Sequence, residues 1–136
     1  MAASQNSGRE YALWPWKEGA CFAIEFIHSV NQTPVRDVFR VGSRNGEALI
    51  QVLATRFRSF GAGMQTDLGP GQTLNYDGPD LVISGFTHTF TELNYVVGTV
   101  SDHILYIGCG EDGKGGVPLS LRNLCGRNAA LRILVR

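Results

Sequence analysis

His28 and Asp37 are the two residues whose types and placement lend themselves most directly to chemistry. His28 closes an alternation in which Phe22, Ile24 and Phe26 share one side, so an ionisable ring takes an aliphatic position. The segment that follows, Ser29-Val30-Asn31-Gln32-Thr33-Pro34, is dense in turn formers and hydrogen-bonding groups. A four-residue hairpin loop over 31–34 sets Val30 opposite Val35 and His28 opposite Asp37. A carboxylate across from an imidazole orients the ring and favours its charged form. Such a pair suits a ligand site, a metal site or proton transfer. The plainer reading, a polar contact that pins the hairpin, is favoured, and the functional one stands beside it.

Other groups compete for attention. Ser29 adjoins His28, but neighbours in a strand point to opposite faces, which argues against a nucleophile and its base. Asp102-His103 meets the same objection unless a turn at Ser101 intervenes. Ser59-Phe60-Gly61-Ala62-Gly63 offers successive backbone N–H groups as an anion nest, with a tight or bulged connection as the plainer reading. It lacks the Gly-Lys-Ser/Thr ending of a phosphate loop. His88, between Phe86 and Phe90, reads as a half-buried strand histidine. Glu111 to Gly116 reads as a mobile, solvated loop without the oxygen spacing of a calcium site. No G-x-S-x-G elbow and no close Cys/His spacing is present, so no catalytic or metal-ligating residue and no cofactor is assigned.

The bulk numbers narrow the class. At 136 residues, 43% hydrophobic and 18% charged, the chain is long enough for one domain with a proper core. Twelve basic against twelve acidic residues, with no basic stripe, disfavour nucleic acid as a partner. No segment approaches the roughly 18 to 20 apolar residues of a membrane span. Residues 1–9 have no apolar centre and read as a flexible leader, natural or introduced by cloning, ahead of a single domain over 10–136. Of three cysteines, Cys109 and Cys125 flank a Gly-rich loop. A bridge closing about 15 residues contributes on the order of 3 kcal/mol. The alternative, three small hydrophobes in strands or near turns, is favoured.

The elements that must position these groups are short alternating runs separated by Gly, Pro, Asn and Asp, with no helical periodicity. They predict an all-β domain of about seven to nine strands, an antiparallel sandwich or flattened barrel. Candidate strands run over 11–16, 21–30, 35–42, 47–60, 73–76, 80–86, 93–100, 103–108 and 129–135, with 119–124 a short strand or a helical turn. In the predicted first hairpin Phe26 faces Phe39, Ile24 faces Val41 and Glu25 faces Arg40. Asn45-Gly46 is a type I′ hairpin signal; it pairs Arg44 with Glu47, Val41 with Ile50, Phe39 with Val52 and Val38 with Leu53. Trp14-Pro15-Trp16 is either a docking surface or, as favoured, a cap on the core.

Three of these pieces together carry a resemblance. They are Phe26-Ile27-His28-Ser29-Val30 with Thr33-Pro34-Val35, then Arg56-Phe57 to Ser59-Phe60-Gly61-Ala62-Gly63, and Gly98-Thr99-Val100-Ser101-Asp102-His103. In that order they resemble a bacterial family known as domain of unknown function 1850, over about Tyr11 to Arg136. The resemblance implies a small extracytoplasmic (periplasmic) domain. It further implies work beside a tripartite transporter that uses a TAXI-type solute-binding protein. Members often carry a membrane or signal segment in front, which residues 1–9 do not resemble. The expectation is a non-enzymatic accessory or binding domain whose partner is a transporter subunit, a solute-binding protein or a small molecule. His28, Ser29, Thr33, Asp37, Ser59, Gly61, Gly63, Asp102 and His103 are its expected binding residues. The rival expectation is a small hydrolase-like or metal-dependent enzyme using His28, Asp37, Asp102 and His103.

Overall fold

A computed structural model of the chain describes residues 2–4, 10–28, 32–58, 68–97 and 101–135. The strands are β1 (Ala2–Ser4), β2 (Glu10–Leu13), β3 (Cys21–Ile27), β4 (Pro34–Arg44), β5 (Glu47–Phe57), β6 (Thr73–Asp77), β7 (Asp80–Ser84), β8 (Thr89–Phe90), β9 (Glu92–Val96), β10 (Ile104–Ile107), β11 (Val117–Ser120) and β12 (Ala130–Leu134). One short helix, α1 (Leu121–Cys125), follows β11 directly, so both alternatives for 119–124 are realised in sequence. The large sheet runs β11-β10-β3-β4-β5-β7-β6, with β8 also on β5; the small one runs β2-β1-β12-β9, and every pairing is antiparallel. This is an all-β sandwich and not a closed barrel. Residues 2–4 of the expected leader pair with β12 and β2.

Alternation decides what lies between the sheets. Phe22, Ile24, Phe39, Val41, Ile50 and Leu105 of the large sheet pack with Leu93, Leu131 and Ile133 of the small one, all essentially removed from water. Phe22 stacks on Phe39 at 5.1 Å between ring centroids. Trp14 and Trp16 pack against this core, as the capping reading anticipates. None of the three cysteines forms a disulfide. Cys21 and Cys109 lie together in a second cluster, on the outer face of the large sheet with Ala23 and Val38. Burial pushes the Cys109 thiol up to about 11, with Cys21 adding to the shift.

The two central hairpins bear differently on the predicted registers. Arg44↔Glu47, Val41↔Ile50 and Phe39↔Val52 form as expected, with Asn45 and Gly46 at φ 52° and 81°. Beyond them a bulge between Val38 and Phe39 makes Ala54, not Leu53, the partner of Val38. The first hairpin pairs Phe22↔Phe39, Ile24↔Asp37, Glu25↔Arg36 and Phe26↔Val35, which replaces the predicted His28↔Asp37, Phe26↔Phe39, Ile24↔Val41 and Glu25↔Arg40. The cause is the turn. His28 N donates to Thr33 O at 2.9 Å and Gln32 N to His28 O at 2.9 Å, so His28 and Thr33 close the turn and Pro34 enters the strand. Gln32 takes a φ of 57°.

The bulge has a structural consequence. Before it, Ile50 and Val52 face inward; after it, Thr55 and Phe57 do, and Arg56 turns to the outer face. There Arg56, 6% exposed, donates to Asp77 Oδ2 at 2.8 Å, Asp80 Oδ2 at 2.9 Å and Asp112 O at 3.1 Å. Arg36 lies 4.0 Å over the Tyr106 ring, binds Glu25 and donates to Gly113 O at 2.6 Å. These two arginines tie the 108–116 loop to the sheet through Gly113 and Asp112, while Glu111, Asp112 and Lys114 to Gly116 stay exposed, as the solvated-loop reading anticipates. His88, expected in a strand, is exposed between β7 and β8.

Candidate functional site

β3 ends at Ile27, β4 begins at Pro34, β5 ends at Phe57 and β10 begins at Ile104. Antiparallel pairing collects these four termini at one rim of the large sheet. Ile27 N donates to Ser101 Oγ at 3.3 Å, which ties the Ser101-Asp102-His103 segment to the end of β3. Of the expected site residues, His28, Thr33, Asp102 and His103 lie at this rim, and Asp37 lies three residues into β4.

Asp37 lies on the inner face, flanked by Ile24 and Thr55. Thr55 Oγ1 donates to Asp37 Oδ1 at 3.0 Å. Burial raises the Asp37 carboxyl above its ordinary value, and the Thr55 hydrogen bond only partly offsets this. Tyr95, from β9 of the small sheet, packs partly buried against the core. Burial raises its phenol, and the Asp37 carboxylate adds to the effect. The Tyr95 ring also lies 5.8 Å from the His103 ring, and His103 stacks on Phe26 at 5.4 Å. Burial lowers the pKa of His103; Asp102 works against that and Arg122 with it. The result is a half-buried polar chain, Thr55 with Asp37 and then Tyr95 with His103.

Asp102 serves a different purpose. It accepts from Ser120 Oγ and, at 2.9 Å, from the Arg122 backbone N–H, while Ser120 Oγ accepts from Asn123 N at 3.1 Å. Its carboxylate therefore caps α1. The Thr33 carbonyl closes the hairpin loop, and its buried Oγ1 has no hydrogen-bond partner among the described residues. His28 sits at the loop's neck. Ser29, Ser59, Gly61 and Gly63 lie outside the described residues.

Among the described residues no three His, Cys, Asp or Glu side chains gather closely enough to hold a metal ion. What the rim offers instead is a carboxyl, a phenol and an imidazole, each shifted by burial toward its neutral form. These groups donate and accept hydrogen bonds, which suits recognition of a polar group. Tyr95 is the residue that sequence reasoning missed. Its signal was present: Leu93, Tyr95 and Val97 alternate, and a phenol on an apolar face needs a polar partner.

A comparison with family models matches residues 22–111 to the family described as Domain of unknown function (DUF1850). The chain belongs to the DUF1850 family. The matched stretch runs from β3 into the loop after β10, and it contains the rim residues His28, Thr33, Asp37, Tyr95, Asp102 and His103. Neither the curated proteins nor the solved structures yield a match.

Proposed function

We propose that this DUF1850 domain is a non-enzymatic accessory to solute uptake, acting on the extracytoplasmic side of a bacterial inner membrane beside a TAXI-type tripartite transporter. Its rim receives either a segment of the transport machinery or the solute itself. The observation that supports a binding role is the half-buried polar chain of Asp37, Tyr95 and His103, in which the Tyr95 and His103 rings lie 5.8 Å apart. A carboxyl kept from water on an inward face costs stability, and such groups concentrate at functional sites. The link to transport rests on what the family resemblance implies.

The test pairs growth with folding. A strain whose growth depends on the transporter is complemented with the parent, with His28→Ala and with Tyr95→Phe. The proposal expects both variants to fail in growth while melting within a few degrees of the parent. Full complementation by both variants overturns it. Melting tens of degrees lower assigns the residue to the fold and also counts against the proposal.

A further inference from the structure

The outer face of the large sheet, opposite the polar chain, carries a recess of about 270 Å³. Four cations, Arg36, Arg56, Arg58 and Lys114, line it against two carboxylates, Glu25 and Asp80. Asp77, paired with both Arg56 and Lys114, adds a third carboxylate at its edge, which leaves a local excess of about one positive charge on a chain with no net charge. The fold assembles it in three ways. Alternation along β4 turns Arg36 outward while Asp37 faces in. The β5 bulge brings Arg56 to the same side, and Arg58 follows two residues on. Anchoring of the 108–116 loop through Gly113 and Asp112 delivers Lys114.

The four cations are unequally committed. Arg56 is engaged by Asp77, Asp80 and the Asp112 carbonyl, and Arg36 by Glu25 and the Gly113 carbonyl. Together they form a rigid back wall. Arg58 approaches Asp80 only at 3.8 Å, too far for a hydrogen bond, and its side chain is 63% exposed. Lys114 Nζ is 3.2 Å from Asp77 Oδ2 with its side chain 60% exposed. A guanidinium has five N–H donors and an ammonium three, so these two residues retain donors for an incoming anion. Pro34 gives one side of the recess an apolar surface.

We propose that this recess is a binding site for a small organic dianion of the dicarboxylate class. Arg58 and Lys114 engage the carboxylates, and the Pro34 side accommodates the carbon chain. The volume falls just below the range typical of drug-sized ligands, which fits a small acid. Planar guanidinium forks match carboxylates, and a local positive field concentrates anions. The site lies on the opposite face from the polar chain, and it holds or fails independently of the transport reading.

The experiment is calorimetric titration of the full chain with succinate at low ionic strength. One saturable site is expected, weakening as salt is added. The Arg58→Ala, Lys114→Ala double variant should bind at least about tenfold more weakly, a loss of about 1.4 kcal/mol. Its melting temperature should match the parent's, since both side chains are largely exposed. Arg44→Ala, at the far hairpin, should bind as the parent does. Three results each overturn the proposal: no saturable binding at millimolar succinate, parent-like binding by the double variant, or inorganic phosphate binding as tightly as succinate.

Discussion

Asp37 concentrates the energetic argument at the scale of single residues. Its folded carboxyl titrates above the ordinary 3.8, because burial disfavours the charge more than the Thr55 hydroxyl favours it. Between those two values the folded protein holds a proton that the unfolded chain has lost. Stability therefore falls as pH rises through the folded value. Asp37→Asn keeps an acceptor for Thr55 and removes the charge. It should be at least as stable as the parent near neutrality and should lose this part of the pH slope. Urea unfolding from about pH 4 to about pH 7 reads both effects. A variant less stable than the parent near neutrality refutes the assignment of Asp37 as a costly buried carboxyl. His103 contributes with the opposite sign. Its lowered pKa means the unfolded chain takes up a proton first as pH drops below the ordinary 6.5, so stability falls toward acid there. The difference between variant and parent isolates Asp37 from that background.

At the scale of elements, the bulge in β5 and the 108–116 loop work as one unit. The bulge puts Arg56 on the outer face, and Arg56 with Arg36 fastens the loop through backbone carbonyls. Gly113 makes this close approach possible. Its φ is +82°, and a Cβ placed there would lie 2.5 Å from Val38 Cγ2. Gly113→Ala should therefore cost about 2 kcal/mol, through overpacking and an unfavourable backbone conformation. Chemical denaturation should show a lower midpoint with an unchanged slope. A parent-like midpoint would show that the loop does not pack on the sheet. A second element-level prediction concerns α1, whose cap is completed by Asp102. Asp102→Ala should cost about 1 kcal/mol, the usual value of a lost cap, as read by the same denaturation. An unchanged midpoint would free Asp102 for another role.

At the scale of the whole molecule, the two sheets share one core and should unfold together. Ile133 of β12 is fully buried against the large sheet's Phe22, Ile24 and Ile50 cluster. Ile133→Ala should cost about 2–5 kcal/mol, the transfer term plus the residual cavity. Tryptophan fluorescence, which reports Trp14 and Trp16, and far-ultraviolet circular dichroism should still give coincident transitions. Separate transitions would show that the small sheet folds on its own.

What the amino-acid sequence determined by itself was the face on which each side chain lies and the turns with strong local chemistry. Alternation placed Phe22, Ile24 and Phe26 inward, identified an all-β domain, and Asn45-Gly46 set the second hairpin correctly. The first hairpin shows where that legibility stops. The observed pairing of Phe26 with Val35 and the expected pairing with Phe39 differ by an even slip, which leaves every residue on its original face. Alternation cannot tell the two apart; only the loop closed by His28 and Thr33 does. The bulge beside Val38 was hidden for the converse reason, since one extra residue reverses the phase without leaving any local turn signal. The site depended on distance along the chain. Asp37 and Tyr95 belong to strands of two different sheets and His103 to the segment before β10, while Arg56 and Lys114 come from a strand and a remote loop. Side chains so far apart in sequence meet only when the sheets stack and the loop docks, and that step belongs to the tertiary structure alone.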